Sequence, residues 1–419
     1  MKKTCTILSV FMLLMLCCFC ACASSENTLT IVDHVVYRLE KTDKESYYSI
    51  VSLFDSKEAK QTVKRIEIPE KINNILVRSI QPITQLEYGT DGELCWKATT
   101  PGIYIDTVGA ICESISLPRS VQSIGDLSFY NMSHLKSISL SDNLETIGAH
   151  AFDGCSSLQT INLPNHITEI RQNAFANCSA LKKLRLPNQI TVLESCTFLN
   201  CNQLKSIRLN NRLRSISWGA FSGCENLTRI SLPKSLQCFY QGTFFDTGIT
   251  KLIVPETCHV FFFNGMTELK EIVFADRSGK FKLPAHCFSN LTALQQVELP
   301  KHAQTTVGQY AFAHCVNLTK IKNTKTIVKL APKSFYRCKT LPAFTLSDCI
   351  QYIADNAFLN CKGLAKLRFT GSSTSFLNHA DFLQTLPDTC KIYVKTDTMK
   401  QAFLDAGCKN KVIVKADLK

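Results

Sequence analysis

Twenty-one cysteines stand in a chain of 419 residues. A thiol can attack a substrate, ligate a metal, close a disulfide or carry a lipid. Spacing decides among these. Seven of them, Cys155, Cys178, Cys201, Cys224, Cys315, Cys338 and Cys361, occupy one recurring slot, three residues after a phenylalanine. Met132, Met266 and Leu291 fill the same slot elsewhere, so it asks for an apolar side chain rather than for a reactive one. Beyond Cys22 no CxxC pair and no Cys/His spacing of a zinc site occurs. Neighbouring copies of the slot would lie about 5 Å apart, a distance that does not forbid a disulfide. Parallel side chains directed into an apolar core nevertheless predict buried thiols of raised pKa. Of the cysteines outside the slot, Cys390 with Cys408 is the best disulfide candidate.

Other catalytic chemistry finds little footing. The nine histidines are scattered. His150, His166 and His314 fall in variable positions and read as solvated surface residues. None has a serine, cysteine or carboxylate at a spacing that implies a triad. There is no glycine-rich phosphate loop, no HExxH and no spaced carboxylate pair. No catalytic residue, cofactor or metal is therefore expected. Asn131, Asn177, Asn226, Asn290 and Asn317 open glycosylation-type triplets, but these coincide with the repeat described below.

Cys22 is different. Lys2 and Lys3 precede the apolar run ILSVFMLLMLCCF, which has signal-peptide length and is too short for a comfortable membrane span. Ala21-Cys22 resembles the end of a lipoprotein cleavage box, which would leave Cys22 as a lipidated first residue. Ala21-Cys22-Ala23 also fits ordinary secretion, and Phe19 departs from the usual leucine of the box. The expectation is an exported protein, an outer-membrane or cell-surface lipoprotein with free secretion as the alternative. The membrane would be touched only through the N-terminal lipid. Loss of Lys2 and Lys3 takes the formal charge from +13 to +11. Such a balance favours acidic partners, and no nucleic-acid-binding module is recognisable.

What positions these residues is a repeat. Ile147, Ile170, Leu193 and Ile216 step by 23, as do Phe129, Phe152, Phe175, Phe198, Phe221 and Phe244, and Leu135, Leu158, Leu181, Leu204 and Leu227. A fixed step of this size predicts a solenoid, whose units bury their apolar faces only by stacking. The unit reads Ile-x-x-x-Ala-Phe-x-x-Cys-x-x-Leu-x-x-Ile-x-Leu-Pro. Its last part alternates with period two, so Ile161 and Leu163 should point inward from a short strand while Thr160 and Asn162 face solvent. Pro164, Pro187, Pro233 and Pro300 end such strands, having no N–H to give the ladder. The Ala-Phe-x-x-Cys part is too short for a full helix and reads as a tight turn or one 3₁₀ turn on the outer side, with Phe as the plug.

AFDGCSSLQTINLP, AFANCSALKKLRLP and AFSGCENLTRISLP resemble the BspA-type (bacterial surface protein A) leucine-rich repeats of bacterial cell-surface proteins. The resemblance implies a leucine-rich-repeat solenoid of short parallel strands on one face and turns on the other. It also implies an adhesion or ligand-binding role.

Four parts follow from the pattern: residues 1–22 a signal peptide; 23–111 an N-terminal β cap, a degenerate repeat around Ile66 and Ile68, and an insertion from Gln81 to Ala110; 112–386 the solenoid; 387–419 a C-terminal cap. The step slips after Pro233, where units shorten around Phe261, Phe262 and Phe263 and a change of curvature is expected. Asn323 replaces a strand leucine and marks a weak rung.

Outward positions on three successive strands are mainly basic: Lys183 and Arg185, Ser206 and Arg208, Arg229 and Ser231, with Lys182 and Lys205 alongside. Strands about 4.8 Å apart would gather these charges within one Debye length. Lys183, Arg185, Arg208 and Arg229 are the candidate ligand-binding residues, for a protein or acidic-glycan ligand and no nucleic acid. The apolar pair Ile253 and Val273 is the fallback. The reading is a monomeric, non-catalytic surface binder, against which stands a cell-envelope scaffold holding partner proteins.

Overall fold

The computed structural model describes residues 29–32, 35–41, 46–52, 65–80, 86–88, 94–96 and 112–418. The expected signal peptide, Cys22 and most of the expected insertion lie outside the described residues. The chain winds as a solenoid of stacked turns tied together by three backbone ladders. The first is the strand anticipated from the alternation, as in Lys183–Arg185, where Leu184 is buried and its neighbours are exposed. Parallel pairing keeps the 23-residue step: Lys183 faces Ser206, Leu184 faces Ile207 and Arg185 faces Arg208.

The second ladder was not legible from the pattern. The slot of Ile147 and Ile170 sits at the end of a two-residue strand, Thr146–Ile147 or Glu169–Ile170, paired in register with its neighbours. Two residues cannot display an alternation, so periodicity gives no sign of them.

The Ala-Phe-x-x-Cys part forms the outer arc as a run of turns. Its N–H groups alternate between local and inter-turn acceptors: Phe152 N–H donates to Ala174 O at 2.8 Å, whereas Cys155 N–H returns to Phe152 O at 3.1 Å. This zigzag needs a left-handed residue two places before and two after each Phe. His150 (φ 54°), Gly154 (81°), Asn173 (55°) and Asn177 (56°) are examples. Asn and Gly reach that region at least cost, which accounts for the asparagines of three of the triplets, Asn131, Asn177 and Asn290.

Phenylalanines fill the centre. Phe129, Phe152, Phe175, Phe198, Phe221 and Phe244 form one column with centroids 5.1–5.8 Å apart and nearly parallel rings. The small residue before each, such as Ala151, Ala174 or Thr197, is buried and lets the next arc approach. In the irregular middle the column becomes a knot in which Phe239, Phe261, Phe263, Phe274 and Phe281 meet at varied angles. It resumes from Phe288 through Phe312 and Phe335 to Phe358. Larger side chains thus take up the space left by shortened units, and the coil continues.

All seven slot cysteines are buried free thiols. Each donates to the carbonyl of the Phe one turn back, Cys178 to Phe152 O at 3.2 Å and Cys361 to Phe335 O at 2.9 Å. The slot therefore rewards a small apolar side chain that also carries a weak donor. Burial pushes Cys224 up to about 12 and raises Cys155, Cys178 and Cys201 well above the ordinary thiol value. The Cys390–Cys408 disulfide does not form: both are free, their thiols directed at different carbonyls, Lys391 O at 4.0 Å and Asn410 O at 3.7 Å.

Arg65–Glu67 pairs directly with Ser114–Ser116, and Ile75–Ile80 with Ser123–Ile124, so residues 81–111 are inserted in sequence between two adjacent rungs. Leu86–Tyr88 and Leu94–Trp96 form a hairpin within them. Val35–Lys41 and Ser46–Ser52 pair antiparallel, and the latter continues onto Ile75–Ile80. At the other end Lys391–Val394 and Val412–Val414 add parallel strands. Between them helix α1, Asp397–Asp405, is capped by Thr396, whose side chain accepts from Met399 N–H at 3.2 Å, and buries Met399 and Phe403. Asn323 adopts φ 62° and donates to Leu299 O at 2.6 Å; a 3₁₀ turn, Thr324–Thr326, follows in place of a longer strand.

Candidate functional site

The strand face carries the predicted basic strip. Lys182, Lys183, Arg185, Lys205, Arg208 and Arg229 are all exposed. The parallel register sets Arg185 directly beside Arg208 and Lys183 beside Ser206. Alternation explains the placement: Leu184 and Ile207 are held in the core at 6% and 8% exposure, which forces the residues on either side outward.

The third rung differs from expectation. Residues 228–232 form no strand, so Arg229 is not in the paired ladder. This rung coincides with a slip in the repeat. Leu227 is followed by Ile249 after 22 residues rather than 23, and the next strand, Lys251–Val254, pairs forward with Glu271–Phe274. Ile230 and Leu232 are left half-buried. The paired strip thus spans two rungs, with Arg229 beside it.

A cleft of about 80 Å³ lies between Arg185 and Arg208, lined also by Asn188, Asn210 and Asn211. It adjoins an open depression of about 760 Å³ bounded by Arg208, Ser231, Pro233 and Lys234. Asn210 stands where other units have proline. Its amide donates to Pro187 O at 2.6 Å and Ile190 O at 2.9 Å, and its oxygen accepts from Arg212 N–H at 2.8 Å. The floor of the cleft is therefore rigid.

Charge pairing distinguishes these rungs from their neighbours. Elsewhere on this face Lys136 is paired with Glu113 (3.0 Å), Lys251 with Glu271 (3.0 Å) and Lys322 with Glu298 (2.9 Å), each a carboxylate one rung away. Among the described residues no carboxylate pairs with Lys183, Arg185, Arg208 or Arg229. Ile253 and Val273 are register partners, the former 55% exposed.

Sequence reading passed over a second surface feature. Trp218, Tyr240, Phe245 and Phe262 are exposed near the irregular unit. For Trp218, Tyr240 and Phe245 the signal was aromatic residues in slots that carry Ser195, Ser217 and Ser222 one unit earlier. Among the described residues no group of three or more His, Cys, Asp or Glu side chains is arranged to hold a metal ion. No helix among them is long and apolar enough to cross a membrane.

Comparison with known proteins agrees with the coil. The family described as the BspA type leucine rich repeat region matches residues 109–217, 193–282 and 259–386, in six copies. No curated protein matches. Among solved structures, a leucine-rich repeat protein from Bacteroides ovatus shares 20% identity at a TM-score of 0.57, covering 92% of this chain and 99% of its own. A leucine rich cell surface protein from Faecalibacterium prausnitzii shares 19% identity at a TM-score of 0.44 (94% and 96%). The pneumococcal vaccine antigen PcpA shares 17% at 0.42 (94% and 100%). With the family's repeat matched over most of the chain, and with each of its slots in place in the stacked turns, this protein belongs to the BspA-type leucine-rich-repeat family.

Proposed function

We propose that this protein is a non-catalytic binding protein of the cell surface that takes an anionic macromolecule, an acidic glycan or an acidic protein patch, on its strand face. The observation that carries the reading is the registered pair Arg185 and Arg208, with Lys183 and Arg229 alongside, on rungs that lack the glutamate neighbours found elsewhere on that face. Like charges in adjacent strands repel, and an anionic ligand relieves that repulsion. Both arginines line one cleft, and a pair of guanidinium groups suits a carboxylate or sulfate.

The test is a variant with Lys183, Arg185, Arg208 and Arg229 all changed to Ser. Retention on immobilised heparin should weaken by about tenfold or more, as expected from the loss of a few charge-assisted contacts. The salt dependence of binding should flatten, and the melting temperature should stay close to wild type because all four side chains are exposed. Equal retention with an equal salt slope would place the site elsewhere, with Ile253 and Val273 next.

Display at the surface rests in this reading on Cys22 as a lipid anchor. Cys22→Ser is expected to move the protein from the membrane fraction to the soluble exported fraction. Membrane retention of the variant, or a wild-type mature N-terminus at Ser24, would reject the lipid.

A further inference from the structure

The outer arc changes character between the two halves of the coil. From Leu127 to Gly265 its left-handed slots hold mostly Asn, Asp and Gly, which adopt positive φ readily. The polar ones satisfy each other. His150 Nδ1 meets Asp153 at 2.8 Å, Asn173 donates to His150 Nε2 at 3.1 Å, Asn177 to Asp153 at 2.7 Å and Asn200 to Asn177 at 3.0 Å. Between His286 and Arg337 the same slots hold His286 (φ 57°), Tyr310 (53°), His314 (61°), Lys333 (54°) and Arg337 (59°); only Asn290 is of the ordinary kind. Asparagine returns at Asn356 and Asn360. Tyr310, Lys333 and Arg337 hold the backbone in a state such side chains rarely adopt, and such strain concentrated in neighbouring turns points to a use.

Those side chains converge. The His286 ring stacks on Tyr310 (5.1 Å, 11°), and Tyr336 stands edge-on to Tyr310 (6.3 Å, 87°) and to His314 (5.3 Å, 81°). Lys333 Nζ lies 5.4 Å from the Tyr310 centroid and the Arg337 guanidinium 5.1 Å from that of Tyr336. His286 and Arg337 are exposed and the other four half-buried. No carboxylate among the described residues pairs with either cation.

We propose that His286, Tyr310, His314, Lys333, Tyr336 and Arg337 form a second binding site, on the outer arc, for an acidic carbohydrate chain. The surface offers phenol, imidazole, ammonium and guanidinium donors on apolar ring area, which suits a hydroxyl-rich ligand bearing carboxylate or sulfate. A row repeated at the rung spacing, and open along its length, suits a polymer. Single-stranded nucleic acid fits less well, since it needs free ring faces for base stacking, and here one face of Tyr310 is taken by His286 and one of Tyr336 by Arg337. The site is independent of the strand face, on which the function proposed above rests.

The strain supplies the test. In the strand-face Ser variant, so that the first site cannot capture the probe, Tyr310, Lys333 and Arg337 are all changed to Asn, the residue found in equivalent slots at Asn173, Asn356 and Asn360. Binding of a heparin oligosaccharide should fall by about tenfold or more, while the melting temperature holds or rises. Neutral dextran should not bind, and oligothymidylate should bind more weakly than the heparin oligosaccharide. Arg337→Asn alone, at an exposed position, should give part of the loss with an unchanged melting temperature. Unchanged heparin affinity, a lowered melting temperature in both variants, or oligothymidylate binding as tightly as heparin would each overturn the proposal. None of these bears on the strand face, which its own variant tests.

Discussion

Phe175→Ala is expected to lower the unfolding free energy by about 3 to 5 kcal/mol. Phe175 is fully buried and stacked on both sides, 5.2 Å from Phe152 at 2° and 5.6 Å from Phe198 at 9°. Removing its ring takes away two ring contacts at once. The void cannot collapse, because the rungs above and below are held apart by backbone ladders: Phe175 N–H donates to Thr197 O at 2.9 Å and Phe152 N–H to Ala174 O at 2.8 Å. Phe175→Leu should cost much less, since most of the volume remains. The urea midpoint measures both. An Ala variant with the wild-type midpoint would contradict the stacked column.

Alkali should be nearly as damaging. Burial raises the thiols of Cys155, Cys178, Cys201, Cys224, Cys315 and Cys338 above their ordinary value of 9.0, and Cys224 reaches about 12. Above pH 9 the unfolded chain gives up these protons while the folded chain keeps them. The unfolded state then binds fewer protons, so stability falls as pH rises. The contribution of each thiol is whole below pH 9 and is lost progressively toward pH 12 and beyond. Between pH 9 and 10 each thiol accounts for about 1 kcal/mol, and the six together for several. The urea midpoint should therefore drop steeply across that interval, and less steeply when Cys178 and Cys201 are both changed to Ala. A midpoint that ignores pH from 8 to 10 would show that the thiols are not sealed.

The repeat, its inward residues and its cysteine slot were legible because a 23-residue step writes the same contact many times. Three things escaped that reading for physical reasons. The strands ending at Ile147 and Ile170 are too short to alternate. The basic strip loses its third rung at Arg229, where the repeat slips by one residue before Ile249, and a slip seen in sequence does not say which ladder will yield. The cluster around Tyr310 and Tyr336 is spread over some fifty residues in slots that looked variable, His314 among them; it becomes visible only when left-handed geometry marks those slots as costly. Asn323, by contrast, announced its weak rung through a single polar substitution.

The three ladders are interrupted at different levels of the coil. The strand-face sheet stops after Ser206–Arg208 and restarts at Lys251–Val254. Across that gap the second ladder continues from Ser215–Ile216 through Cys238–Phe239 to a bridge at Val260, and the outer arc from Phe221 to Thr243. The second ladder is itself broken between Glu169–Ile170 and Val192–Leu193, where the outer arc joins Phe175 to Thr197. The joints are staggered as in bonded masonry. A crack opened by heat, or by tension on a tethered molecule, has no straight plane to follow and must shear at least one intact seam at each level. Nearest-neighbour repeat arrays otherwise part at their poorest interface, and here the irregular middle is kept from becoming a hinge.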